Sequence, residues 1–143
     1  MCTEVTIILM STEAQIILRL LLATALGAGI GYQRERANKP AGLRTHVLIA
    51  LGSALFTVVS IFGFSGGVDT SRVAAGIVTG IGFIGAGVIF RGVRGDHVAG
   101  LTTAASIWAT ASIGLAAGVG MYLIATVVAA ITVLVLMIPR VKG

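Results

Sequence analysis

Five long apolar runs dominate the chain between Gln15 and Ile138, and none contains an aspartate or a glutamate. They run roughly Gln15 to Tyr32, Val47 to Phe64, Val73 to Phe90, Leu101 to Ala117 and Val119 to Ile138. A helix needs about 20 apolar residues to cross the hydrocarbon of a bilayer. Only a helix or a closed barrel satisfies its backbone there. The runs therefore predict an all-α integral membrane protein with five transmembrane helices, forming a single transmembrane domain over residues 1–143. Val5 to Met10 is too short to cross, and either extends the first helix or lies at the interface.

Composition excludes the soluble alternatives. The chain is 57% hydrophobic and only 10% charged, with a mean hydropathy of +1.05. A soluble domain carries about 25% charge, so these few charged groups could not cover a globular surface. The net charge of +5 reports on topology and anionic lipid, not on nucleic acid. Cys2 is the sole cysteine, which leaves no internal disulfide and no thiol metal site. Glu4 and Glu13 stand where a cleaved signal peptide would carry its basic segment, so none is expected.

The charges that remain are placed asymmetrically. "GYQRERANKPAGLRTH", Gly31 to His46, gathers Arg34, Arg36, Lys39 and Arg44 against Glu35 alone. Arg91 and Arg94 follow the third run, and Arg140 and Lys142 the fifth. The other side has Arg72 with Glu4, Glu13 and Asp69. The positive-inside rule then places the N-terminus outside and the C-terminus in the cytoplasm. Arg19 lies about one turn below the outer surface, where a long side chain reaches water by snorkelling.

A repeat underlies the pattern. "GAGIGYQRERANKPAGLRT", Gly27 to Thr45, aligns without a gap with "GAGVIFRGVRGDHVAGLTT", Gly85 to Thr103, at an offset of 58. Helices one and two then correspond to helices three and four as a parallel repeat, and the fifth helix stands alone. Small residues four apart let helices approach closely. Gly27 with Gly31, Gly76 with Gly80, and Gly114 with Gly118 are the expected packing positions. The third helix, with small residues on more than one face, is expected between neighbours. "GIGFIG" has GxGxxG spacing, but it lies inside a helix with no preceding strand, so it is no dinucleotide motif. Thr102, Ser106 and Thr110 fall four apart on the fourth helix, as a packing face or a pore lining. Trp108, in mid-span, is expected to be buried.

Three motifs in order, "GYQRERANKPAGLRTHVLIALGSALFTVVS", "DTSRVAAGIVTGIGFIGAGVIF" and "GLTTAASIWATASIGLAAGVGMY", resemble the membrane domain of the MgtC/SapB family over nearly the whole chain. That resemblance implies a bacterial inner-membrane protein of five helices with a cytoplasmic C-terminus. Larger members carry an ACT-like domain after the fifth helix, and the resemblance here covers the membrane domain only. It also implies links to growth in low magnesium, to virulence, and to restraint of the F-type ATP synthase as a partner. The chain departs from the family pattern at Thr70, Gly76 and Ala99, where proline, glutamine and arginine are usual.

The residues themselves favour binding over chemistry. No nucleophile with its base, carboxylate pair or metal cluster is apparent, so neither an enzyme nor a cofactor is expected. His46 and His97 fall at cytoplasmic helix ends and are expected to be interface residues. A magnesium path needs oxygen ligands, and the helix interiors offer no carboxylate. A transport path at an oligomer interface, lined by hydroxyls and carbonyls, remains the alternative to a membrane regulator or binding module. Small-residue faces and an unpaired fifth helix predict a homo-oligomer, a dimer favoured, with membrane lipids as partners and no nucleic acid. The repeat makes Arg36 and Arg94 equivalent, and "AGL" leads each loop into a helix with Thr45 or Thr103 in its first turn. The threonines are expected to satisfy backbone N–H groups there. Glu35 and Asp96 are expected to steady the arginines. Arg36, Arg44, Arg94, Thr45 and Thr103 then frame an anion-attracting site on the cytoplasmic face; the simpler reading is that these arginines only anchor the loops at lipid headgroups.

Overall fold

The computed structural model describes residues 12–64, 66, 69–91 and 98–139. Five helices follow one another: α1 Thr12–Arg36, α2 Leu43–Phe62, α3 Ser71–Gly87, α4 Leu101–Val119 and α5 Tyr122–Met137. Between α3 and α4 lies a small hairpin, β1 Phe90–Arg91 pairing antiparallel with β2 Val98–Ala99. Three helices, α1, α2 and α4, are long and apolar enough to cross a membrane. The other two, α3 with 17 residues and α5 with 16, are apolar but shorter. At 1.5 Å rise per residue they fall a little short of a core about 30 Å thick.

The ends of the helices follow local chemistry. α1 continues past Tyr32 because "QRER" has no breaker, and Arg34 and Arg36 sit well at a helix C-terminus. The chain turns only at Asn38 (φ 51°) and Ala41 (φ 58°), which take left-handed conformations. α3 stops at Gly87, short of the expected Phe90, because Phe90 and Arg91 are drawn into the strand pair. The α4–α5 connection is tight, as expected. Gly120 takes φ 99°, and the N–H groups of Gly120 and Met121 donate to the carbonyls of Ala117 and Ala116.

α4 lies at the centre and touches all four other helices. The core is built from small residues: Ala23, Ala50, Ala54, Ala117, Ala125 and Ala129, with Ile30 and Ile113. Four of the expected packing glycines lie at close approaches between helices. A Cβ on Gly27 would lie 2.7 Å from the His46 carbonyl oxygen, and one on Gly31 2.7 Å from the Leu43 Cα. On α4, a Cβ on Gly114 would overlap the Ala50 backbone, and one on Gly118 would lie 2.8 Å from the Ala54 carbonyl oxygen. All four face α2.

Gly76 and Gly80 do not behave this way. Nothing lies within 4 Å of a Cβ built on either. α3 is peripheral, not sandwiched, because it meets α4 through a different face. Ile77, Ile81, Gly85 and Val88 follow the i, i+4 and i, i+3 spacing of that face, with Ile81 against Ile107 and Ala111. Gly76 and Gly80 are each one residue off this row, about 100° away. The same rotation puts Trp108 beside buried Ile107 but 54% exposed, against the expectation of burial. Large apolar side chains also point outward elsewhere, Leu48, Phe83 and Leu123 among them. A helix apolar all round suits a lipid surround.

Two arginines of α1 reach the two ends of antiparallel α4. Arg19 Nη1 donates to the Gly118 carbonyl at 2.8 Å, and its guanidinium lies 5.2 Å from the Phe62 ring centroid. Arg34 Nη2 donates to the Thr103 hydroxyl near the other end. Arg19 therefore does more than snorkel. It satisfies a C-terminal carbonyl where positive charge is favoured.

Side-chain volume should be tolerated in line with these contacts. Gly114→Val should destabilise by about 1–3 kcal/mol through overpacking. Gly76→Ala should be neutral or stabilising by up to about 1 kcal/mol. Thermal unfolding midpoints of both variants in detergent check this.

Candidate functional site

The basic end of the bundle is organised by Arg34. It lies in the last turn of α1, on the row of Gly27, Ile30 and Gly31 that faces the core, and is only 4% exposed. Nη2 donates to Thr103 Oγ1 at 2.5 Å and to the Pro40 carbonyl at 3.2 Å. Nε–H is buried without a partner. An unmade hydrogen bond of this kind costs about 1–3 kcal/mol. Its neighbour Gln33 donates from Nε2 to the Leu136 carbonyl at 3.3 Å, tying α1 to α5. The Gln33 Oε1 is also buried and unpartnered.

These two residues line a cavity of about 660 Å³ bounded by the end of α1, the start of α4 and the end of α5. Lys39, Thr102 and Thr103 contribute polar groups; Phe90, Val135 and Ile138 contribute an apolar wall. α4 starts at Gly100, with φ 92° and no side-chain cap. A Cβ there would overlap the Val88 carbonyl, so glycine is needed twice over.

A polar chain continues from this cavity into the core. Thr103 is followed by Ser106, whose hydroxyl reaches the Thr103 carbonyl at 2.8 Å and His46 Nε2 at 3.2 Å. His46 Nδ1 lies 3.1 Å from the Gly42 carbonyl oxygen. His46 is fully buried. It braces α2 against α4 and is not the interface residue expected. Thr110 bonds the Ser106 carbonyl of its own helix. Ser106 and Thr110 are buried while Thr102 is exposed, so the hydroxyl stripe is mainly a packing face.

The other expected residues are placed differently. Glu35 Oε2 accepts from the Leu43 N–H at 2.8 Å, so its observed bond caps α2. No side-chain cap comes from Thr45 or Thr103 to the N-cap of its helix. Thr103 serves as acceptor for Arg34 instead. Glu35, Arg44 and Thr45 gather round a second, more open depression of about 580 Å³, and Asn38, Lys39 and Pro40 line both hollows. Arg36 is exposed. Arg94, Asp96 and His97 lie outside the described residues. Among the described residues no group of three or more His, Cys, Asp or Glu side chains could hold a metal. The site is rich in donors and suits binding.

Reading the sequence alone missed Arg34, Gln33 and His46. The available signal was periodicity: with α1 carried on to Arg36, Arg34 falls on the face of Gly27, Ile30 and Gly31.

Two substitutions test these roles. Thr103→Val should cost about 1–3 kcal/mol, since it leaves a further donor of Arg34 unpaired. Glu35→Ala should cost about 0.5–2 kcal/mol through loss of the α2 cap. Denaturant unfolding in mixed micelles reads both.

Comparison with known proteins finds relatives over most of the chain. The MgtC family model matches residues 20–142. YhiD of Escherichia coli (strain K12), named as a candidate magnesium transporter, is 51% identical over 130 residues, covering 86% of this chain and 60% of YhiD. SapB of Bacillus subtilis (strain 168) is 44% identical over 117 residues, covering 77% of this chain and 50% of SapB. MgtC of Brucella abortus (strain 2308) is 48% identical over 99 residues, covering 69% of this chain and 40% of MgtC. The chain thus spans 40–60% of the length of these three relatives. No solved structure matches. With a family model matched over most of its length, and relatives this similar, the chain belongs to the MgtC family.

Proposed function

We propose that this chain is a five-span module of the bacterial inner membrane, N-terminus outside and C-terminus cytoplasmic, that binds and regulates without catalysis. The observation that carries this reading is the donor-rich cavity at the basic end, closed by buried Arg34. The name of YhiD connects the module with magnesium. On this reading the connection is homeostasis, not conduction, since the helix interiors offer no carboxylate to a divalent cation. The two shorter helices count as spans because both are apolar and pack on α4.

The parallel repeat is part of the proposal. The Gly27 approach to His46 has its counterpart 58 residues on, where Gly85 approaches Ala104. The His46 N–H donates to the Gly42 carbonyl, and the Ala104 N–H to the Gly100 carbonyl. The corners themselves differ, with φ −89° at Gly42 and 92° at Gly100.

Transport by an oligomer is the second reading. One observation favours it: Gly76 and Gly80 line an open apolar groove of about 680 Å³ between α2 and α3, the kind of surface a second copy could cover. Magnesium flux into liposomes separates the readings. The regulator reading expects no flux above that of empty liposomes, and sustained flux would overturn it. Topology is tested independently. In a Cys2→Ser background, cysteines at Asn38 and Arg72 should label from opposite sides, Arg72→Cys from outside.

A further inference from the structure

We propose that the Arg34–Gln33 cavity is a binding site for one phosphate ester carrying a free hydroxyl, the chemistry of a glycerol phosphate headgroup. This rests on the binding-module reading and supplies its ligand class. Four features of the cavity specify that chemistry.

The first is electrostatic. Arg34 touches the first turn of α4, and Lys39 lines the same cavity. Arg34 therefore lies at the positive end of the α4 dipole, where anions are favoured and cations are not, and exposed Lys39 adds a second cation to the cavity wall. Arg19, at the opposite end of α4, has the favourable arrangement. The described lining contains no carboxylate. The local excess of positive charge calls for an anion, and it repels Mg²⁺.

The second is hydrogen bonding. Arg34 is 4% exposed and keeps one buried N–H unpaired. The 19-residue helix α4 begins with no side-chain cap, so the N–H groups of its first turn add donors toward the same place. A phosphate, with several acceptor oxygens, serves a guanidinium and a helix start together.

The third is the orphan acceptor. Gln33 Nε2 is committed to the Leu136 carbonyl, which leaves Oε1 buried and unpartnered, ready to accept once the side chain turns toward the cavity. The ionised phosphate of an ester has no proton for it, whereas a hydroxyl elsewhere on the ester does. The fourth is shape. At about 660 Å³ the cavity is far larger than inorganic phosphate needs, and Phe90, Val135 and Ile138 form an apolar side. A glycerol backbone, or the start of an acyl chain, fits against that wall. Phosphatidylglycerol and soluble glycerol 3-phosphate share this chemistry.

The test uses the full chain in neutral detergent. Native mass spectrometry and thermal shift are read on titration with phosphatidylglycerol, glycerol 3-phosphate, inorganic phosphate and magnesium chloride. Saturable binding of one phosphatidylglycerol or one glycerol 3-phosphate per chain is expected, and which of them binds identifies the source. Inorganic phosphate should bind at least about 10-fold more weakly, and magnesium chloride should give no shift. Arg34→Met should weaken ester binding by at least about 10-fold, the loss of a charge-assisted pair. Should that variant not fold, Lys39→Gln and Gln33→Met decide, each expected to weaken binding several-fold. Arg44→Gln, outside the cavity, should leave it unchanged. Two results overturn the proposal: no saturable ester binding by folded wild type, or equal weakening by Arg44→Gln and Lys39→Gln, which would mean a diffuse charge anchor. Magnesium flux with ester binding intact would sink the regulator reading while leaving this site standing.

Discussion

Ala50 is the point on which the bundle closes. Its methyl group is where a Cβ on Gly27 of α1 would fall, and its backbone is where one on Gly114 of α4 would fall. Two helices, which also touch each other, are thereby brought against α2 at backbone distance. Lipid tails are as apolar as leucine, so burial of apolar side chains gives helices in a bilayer little reason to associate. Close van der Waals packing of small residues takes its place. The alanine-rich core follows from this, and so does the outward display of leucine and phenylalanine. Gly31 against Leu43 and Gly118 against Ala54 extend the same seams toward the two ends.

Backbone contact alone fixes distance better than register, and polar groups supply the register. Arg19 and Arg34 stand 15 residues apart on α1, and their partners Gly118 and Thr103 stand 15 apart on α4. At 1.5 Å per residue both spacings span about 22 Å. A slip of either helix along the other would break both bonds together. At the basic end the register is reinforced through Ser106 and His46, which tie α4 to α2. The arginines differ in one respect. Arg19 meets a helix end that favours it, while Arg34 meets one that does not, and the cavity lies beside the second.

The comparison of sequence with structure turns on helix faces. Five helices and the tight α4–α5 turn were legible, because apolar length and the shortness of a connection are local properties. Within the chain Gly76 and Gly80 meet no neighbour, and Trp108 of α4 is exposed beside buried Ile107. Small residues occur on several faces of α3, and spacing does not say which face meets a neighbour. The site was legible as a basic end with Thr103 in it. Its central residue was not, because "QRER" read as loop, and in a loop Arg34 is no different from Arg36.

What the sequence by itself determined is the apolar, helical character of the chain and the gathering of its cations at one end. Both follow from composition and order along the chain, since each helix satisfies its own backbone. What only the tertiary structure decided is which cation is buried. Arg34 and Arg36 are near twins in sequence, but two residues on a helix differ by about 200°. One therefore turns toward Thr103 and the other toward water. The same rotation gives Gln33 to the α5 carbonyl and Glu35 to the start of α2, so a short run of alternating charges becomes a brace, a buried donor and a cap.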